Sequence, residues 1–255
     1  YVICGNHERP EADVVVMWSW LLGMYGRDAI YHHYKNTNTK FLILEVGALK
    51  RNQSWKLAIG GINRDADFAN QNVDDKRLSL FNLHTNPWKN TGTYIVVCGQ
   101  NERSIAWDQG STSDWFTSIF QWIRKYTDMP IWFRPHPRFR SKIKESKVNN
   151  VHISSPKKIG NVDEVDFSNV LENAYAVVNY NSNPAIESVL AGVPVYVSKS
   201  SLCWPVGKEI GSDLQIPAKP DRTQWLEQIS YTEWFTEEIE KGVPWIRLKQ
   251  NLIDG

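Results

Sequence analysis

The feature that most constrains this chain is a series of short apolar runs that do not alternate with polar residues. They include Val14-Val15-Val16-Met17-Trp18, Phe41-Leu42-Ile43-Leu44, Tyr94-Ile95-Val96-Val97-Cys98, Ala176-Val177-Val178 and Val193-Pro194-Val195-Tyr196-Val197. A strand with one wet face alternates apolar and polar side chains. An unbroken run of strand length is covered on both faces, the condition of a parallel sheet between helices. The intervening stretches supply the helices. Leu21 to Tyr34 is long enough for a crossover, and Trp115, Ile119, Trp122 and Ile123 form one helical stripe within Trp115–Tyr126. Phe167–Glu172 is a third helix. Asn183 suits an N-cap and Pro184 the first helical position of a fourth, which Gly192 ends. Pro130–Phe133 and Val151–Ile153 read as further strands, Trp55–Ile59 as an alternating one, and Trp225–Lys241 as a closing helical stretch.

With 255 residues, two lobes are expected. The Asn- and Asp-rich segment 64–92 reads as their connection. The expected organisation is an N-terminal lobe over 1–92, a doubly wound α/β lobe over 93–222 and a helical segment over 223–255. Lys and Arg number 29 against 28 Asp and Glu, a net charge of +1, which excludes a polybasic nucleic-acid tail and an acidic solvated chain. Cys4, Cys98 and Cys203 form no Cys-x-x-Cys or Cys/His pattern, so a reducing, cytoplasmic setting is expected. No apolar run reaches the roughly 20 residues of a membrane helix, and no signal peptide is visible, so no stable membrane insertion is expected.

In open parallel sheets ligands bind beyond the carboxyl ends of the strands. Polar residues expected there are Trp18-Ser19-Trp20, Glu45, Gly99-Gln100-Asn101, Arg134 to Arg138 and Asn179 to Asn183. Arg134, His136 and Arg138 offer donors around one strand end, and Ser182-Asn183-Pro184 opens a helix whose free N–H groups suit a phosphate. Bland readings stand beside these. The arginines begin a basic run through Lys147 that could be a solvated face, Asn183 could be only a cap, and Glu187 a surface carboxylate. Glu45 could be a structural partner of Arg51. Gly-x-Gly-x-x-Gly, P-loop, Gly-x-Ser-x-Gly and His-Glu-x-x-His patterns are absent, which argues against standard dinucleotide enzymes, P-loop NTPases, α/β-hydrolases and zincins. Asp65-Ala66-Asp67 matches the Asp-x-Asp pattern of metal-dependent sugar transferases but sits in a polar loop, and no metal is expected.

Gly99-Gln100, the helix, Pro130 to Arg138 with His136-Pro137, and Asn181 to Val195 with Glu187-x-x-x-x-Gly192-x-Pro194-Val195 form an ordered set. This set resembles the nucleotide-sugar-binding lobe of GT-B glycosyltransferases. It is most similar to capsule-polysaccharide and Kdo-transferase-like enzymes and to small bacteriophage glycosyltransferases. Leu44 to Arg51 carries a Glu-x-Gly turn before an Arg, as such families do, and Tyr231 to Trp234, Glu237 to Ile239 and Gly242 look like the phage members. The resemblance implies two Rossmann-like lobes with the active site in the cleft between them, and a UDP- or CMP-sugar as co-substrate without another cofactor. Donor-side residues would be Gln100, Arg134, His136, Arg138, Ser182, Asn183 and Glu187. Glu45 would be the general base, with Asp13 and Asp28 in reserve, and Trp18, Trp20 and Arg51 would lie on the acceptor side. A phage-type enzyme implies a hydroxymethylated pyrimidine in double-stranded DNA as acceptor. The alternatives are a capsule polysaccharide or lipid-linked glycan, a sugar-nucleotide epimerase needing no acceptor, and an inactive binding module.

Overall fold

The computed structural model describes residues 9–138 except 22, 24 and 25, together with 143, 146–158 and 166–253. Cys4 and the middle of the basic run, including Arg140, Lys142 and Lys144, lie outside the described residues. Ten strands and eight helices form two sheets among them.

The first sheet is built from β1 (Val14–Trp18), β2 (Lys40–Val46), β3 (Ser54–Ile59) and β10 (Glu233–Phe235), in that spatial order. Helix α1 (Arg27–Tyr34) carries the chain from β1 to its parallel neighbour β2. β3 then returns antiparallel to β2, and β10 pairs antiparallel with the far edge of β3. This sheet is therefore mixed. Only its first pair has the parallel wound form, so the expectation of a Rossmann-like N-terminal lobe is corrected here. The reason is local: β2 and β3 are joined by the seven residues 47–53, too few for a crossover helix and enough for a hairpin.

The second sheet is parallel throughout. Its strands are β4 (Tyr94–Cys98), β5 (Ile131–Arg134), β6 (Val151–Ile153), β7 (Ala174–Asn179), β8 (Val195–Val197) and β9 (Lys208–Glu209), in the spatial order β6-β5-β4-β7-β8-β9. Numbered within the sheet this is 3-2-1-4-5-6, the doubly wound order whose direction reverses between β4 and β7. Helix α3 (Thr112–Arg124) covers one face, setting Phe116, Ile119, Phe120 and Ile123 against Ile95, Val97, Phe133 and Val178. Helices α4 (Phe167–Leu171), α5 (Pro184–Leu190) and α6 (Thr223–Ser230) cover the other, packing on Val96, Cys98, Val177 and Val195. Both faces are dry, as the unbroken apolar runs require. α3 begins three residues before the aromatic stripe because Ser111 caps it, its Oγ accepting from the Asp114 N–H.

Segment 64–92 is more than a connection. It holds α2 (Lys76–Phe81), with Phe68 and Phe81 in the core, and its end docks on α5 through Asn86 N–H to Leu190 O and Lys89 N–H to Gly192 O. Nor is 225–241 a continuous helix. After α6 the chain forms β10, then α7 (Thr236–Glu240), and α8 (Val243–Ile253) follows Gly242. Buried Arg77 on α2 holds this return. Its guanidinium donates to Ser230 O, Glu233 O and both Glu238 carboxylate oxygens, and it lies 4.1 Å from the Trp234 ring centroid. Burial works against the Glu238 charge, but the Arg77 bonds outweigh it and hold that carboxyl below its ordinary range. Arg77→Ala takes the guanidinium away from the Ser230 and Glu233 carbonyls and from Glu238, which keeps the Phe235 N–H. The expected loss is about 3–5 kcal/mol, read as a Tm lower by on the order of 10 °C; a Tm within 1 °C of wild type would refute the clamp.

Candidate active site

A cavity of about 680 Å³ lies between the two sheets, at the carboxyl ends of β4, β5 and β7. It therefore sits where the winding of the parallel sheet reverses, the place such sheets bind ligands. The second sheet contributes Gly99 and Gln100 after β4, Arg134 to Arg138 from β5 onward, and Asn181 to Asn183 with Glu187 from β7 into α5. The first contributes Glu45, Arg51 and Lys56, and segment 81–86 closes a third side with Leu83 and His84.

Local backbone contacts position the second-sheet wall. Gly99 N–H donates to Arg134 O, and a Cβ on Gly99 would meet His136 N at 2.3 Å, so only glycine allows the two strand ends to approach this closely. His136 Nδ1 accepts from the Arg138 N–H, turning the chain after Pro137. Asn179 and Ser182 close the next loop reciprocally, Asn179 Nδ2 donating to Ser182 Oγ and Ser182 N–H to Asn179 Oδ1. Gln100 Nε2 donates to Asn181 Oδ1, and Asn181 Nδ2 to Ala106 O and Ser200 Oγ.

On the first-sheet side Glu45 Oε2 accepts from Ser19 Oγ at 2.8 Å and from the Trp20 N–H, and its Oε1 from the Val46 N–H. Across the strands Glu45 is in register with Lys56, and Lys56 with Glu233. Glu233 is fully buried. Its carboxylate accepts from the Ala48 and Leu49 N–H groups and from Ser54 Oγ, which fixes the loop carrying Arg51 to the cavity. A Cβ on Gly47 would stand 2.3 Å from Glu233 Oε2, so the Glu-x-Gly turn needs its glycine here.

Several expected site residues are elsewhere or differently employed. Trp20 is a core residue, 7% exposed and edge-on to Tyr31 and Phe41, so it is not available to an acceptor. Trp18 is exposed but outside the cavity lining and edge-on to Trp55; its register partner is Leu44, so alternation along β2 puts it on the opposite face of the sheet from Glu45. Asn183 precedes α5 without a side-chain cap bond. Its side chain instead crosses to the first sheet, Oδ1 accepting from Lys56 Nζ at 2.7 Å and Nδ2 donating to Val46 O. Arg134 is 4% exposed and ion-paired to Asp166 at 2.7 Å, so it is no part of a solvated basic face. Asp28 accepts from the Gly23 N–H, and neither it nor Asp13 lines the cavity. Asp67 accepts from the Ala69 N–H and from Asn251, so the Asp-x-Asp loop is tied into the first sheet and away from the cavity. Lys56 and Glu233 escaped the sequence reading. The signal for Lys56 is the alternation of Trp55–Ile59, which puts a charged residue on the inward face; Glu233 carries no such local signal.

Glu187 is half-buried in the cavity wall. Its burial pushes the carboxyl up to about 7, against the opposing pull of Arg51 and Arg134. Cys98, also in the lining, is pushed up to about 12 by burial and stays a thiol. No protein-family model and no curated protein matches the chain. Solved structures do. A beta Kdo 2,7 transferase, KpsC of Thermosulfurimonas dismutans, matches with a TM-score of 0.50 at 13% identity, over 92% of this chain and 85% of that one. A KpsC beta Kdo 2,4 transferase from the same organism matches with a TM-score of 0.53 at 12% identity, over 88% and 81%. The chain shares the α/β fold of these glycosyltransferases. No helix among the described residues is long and apolar enough to cross a membrane.

The Glu187 environment has a measurable consequence. An unfolded glutamate titrates near pH 4.3, below the folded value of about 7. Between these pH values the folded state binds the extra proton, so this group's contribution to stability falls as pH rises through the window. Glu187→Gln removes that dependence. Its stability relative to wild type, from urea unfolding, should increase from pH 5 to pH 8, and an equal difference at both would contradict the assignment.

Proposed function

We propose that this chain is a glycosyltransferase that moves a sugar from a nucleotide-sugar donor to a hydroxyl of a capsule-type glycan. The observation that carries the reading is the cavity at the switch point of the parallel sheet, with a carboxylate of the other sheet facing it. Breaking a sugar-phosphate bond leaves a nucleotide with growing negative charge, and the acceptor hydroxyl must lose a proton. His136, Arg138 and the loop at Ser182 meet the phosphate. Glu45, held by Ser19 and the Trp20 N–H, takes the proton. Arg51 and Arg134 keep the interior cationic. Glu187, whose carboxyl burial raises to about 7, can donate a hydrogen bond to the donor in its protonated form.

The glycan acceptor is favoured over a DNA base by the two structural neighbours, both of which are Kdo transferases. The DNA reading loses one of its supports, because Arg134 at the head of the basic run is buried against Asp166. CMP- and UDP-sugars are the donors to try first.

Thermal-shift measurements with UDP, CMP, GDP and their sugar conjugates test the reading. A ligand at 100 times its Kd stabilises by about 2.7 kcal/mol. One nucleotide should raise the Tm of wild type and have no such effect on His136→Ala. If no nucleotide raises it, the donor reading is wrong.

A further inference from the structure

Lys56 has no part in the donor or base roles above, yet it stands where the two sheets meet. It is 3% exposed, it lines the cavity, and its ammonium donates to Asn183 Oδ1 at 2.7 Å. The strand register flanks it with Glu45 on β2 and Glu233 on β10, all three on the inward face. Burial lowers its pKa, while the charges of Glu233 and Glu45 oppose that. The two carboxylates are themselves occupied, Glu45 by Ser19 and the Trp20 N–H, Glu233 by Ser54 and the loop at Ala48 and Leu49. The Lys56 hydrogen bond is thus directed across the gap and not along its own sheet.

Asn183 answers with both ends of its amide. Its Oδ1 accepts from Lys56 and its Nδ2 donates to Val46 O, in the residue after Glu45. The carbonyl at Val46 can only accept and the ammonium at Lys56 can only donate, so these partners fix the amide orientation. One short side chain therefore ties the start of α5, with Ser182 on one side and Glu187 one turn on, to the strand that presents Glu45. An asparagine at this position would ordinarily cap its own helix. Here the cap bond is given up for the crossing.

We infer that Lys56 is a positioning residue for the transfer reaction: through Asn183 it sets the donor-side loop and helix of the second sheet in register with Glu45 on the first. This rests on the glycosyltransferase reading. Nucleotide binding belongs to the second sheet and should survive loss of the bond. The chemical step, which needs both sheets, should not, since a displacement on the order of 1 Å can cost about a hundredfold in rate.

The test uses Lys56→Met, Asn183→Ala, the double variant and Lys56→Arg. Kd for CMP and UDP is measured, together with turnover of the matching nucleotide sugars on a capsule-type oligosaccharide, followed as released nucleotide. Lys56→Met and Asn183→Ala should each lower kcat about 10–100-fold with Kd within about threefold. The double variant should be no slower than either single, because the residues act as a unit, and Lys56→Arg should recover part of the rate. Losses that multiply, or an unchanged kcat in Lys56→Met, would overturn the assignment. A Kd weakened tenfold or more would make Lys56 a ligand contact instead and overturn it as well. If Lys56→Met does not fold, Asn183→Ala and Lys56→Arg decide: full activity in Asn183→Ala ends the proposal. Wild type that binds no nucleotide overturns the donor reading itself. Wild type that binds but does not turn over overturns the transferase reading and this role with it.

Discussion

The buried guanidinium of Arg77 is the contact on which the first sheet and its side of the cavity depend. A charge taken out of water is tolerated only when its donors are satisfied, and Arg77 spends them on Ser230 O, Glu233 O and Glu238. Those acceptors flank or belong to β10, a three-residue strand too short to hold its place by ladder bonds alone. With β10 in place, the Glu233 side chain reaches under the hairpin and takes the N–H groups at Ala48 and Leu49. That loop turns at Gly47, directly after the strand carrying Glu45. A segment more than 150 residues from Glu45 in sequence thereby shapes the cavity around it. The chain folds back on itself before its site is complete.

The cavity is also electrically lopsided. Arg51, Lys56, Arg134 and Arg138 line it against Glu45 and Glu187, and burial pushes the Glu187 carboxyl up to about 7. Part of that positive charge is met by carboxylates behind the lining, Asp166 for Arg134 and Glu233 for Lys56, and a bound anion would meet more of it. Arg134 limits its own share by pairing with Asp166, which holds it at the end of β5 without neutralising the rest. The Gly99 approach to His136 brings the β4 and β5 ends close enough to act as one surface. The second-sheet wall of the cavity draws on several elements and not on one helix start, since α5 is short and Asn183 is turned away to the other sheet.

How much of this was legible in the sequence follows from what each signal encodes. Unbroken apolar runs report burial on both faces, so β1, β2, β4 and β7 were placed within a residue or two. The switch-point residues followed from strand ends, and Gln100, Arg134, His136, Arg138, Ser182, Asn183 and Glu187 do line one cavity with Glu45 and Arg51. What failed was anything decided by a partner distant in sequence. Glu233-Trp234-Phe235 has no strand pattern of its own and becomes β10 only because β3 offers an edge. Arg77 looked like one more polar residue of a linker. Trp18 and Trp20 drew attention as aromatics near a strand end, but the period of two assigns Trp18 to the far face of the sheet. Asn183 carried a correct local preference that a longer-range hydrogen bond overrode.

The acceptor is the point at which the fold stops deciding and electrostatics must. Binding to duplex DNA draws on lysines and arginines that reach phosphates and release counterions, and its salt dependence scales with their number. The run beginning at Arg134 would have to supply them. Yet Arg134 is turned inward against Asp166, and the whole chain carries a net charge of only +1. Arg138, at the exposed end of the same turn, also lines the cavity, so it serves the interior as much as any outer surface. Within the described residues, Arg134 and Arg138 of this run both line the gap between the sheets. A glycan acceptor of the kind proposed needs no cationic track along the surface. The described part of the run therefore offers the DNA reading no outward cationic track at Arg134, in keeping with the glycan acceptor proposed above.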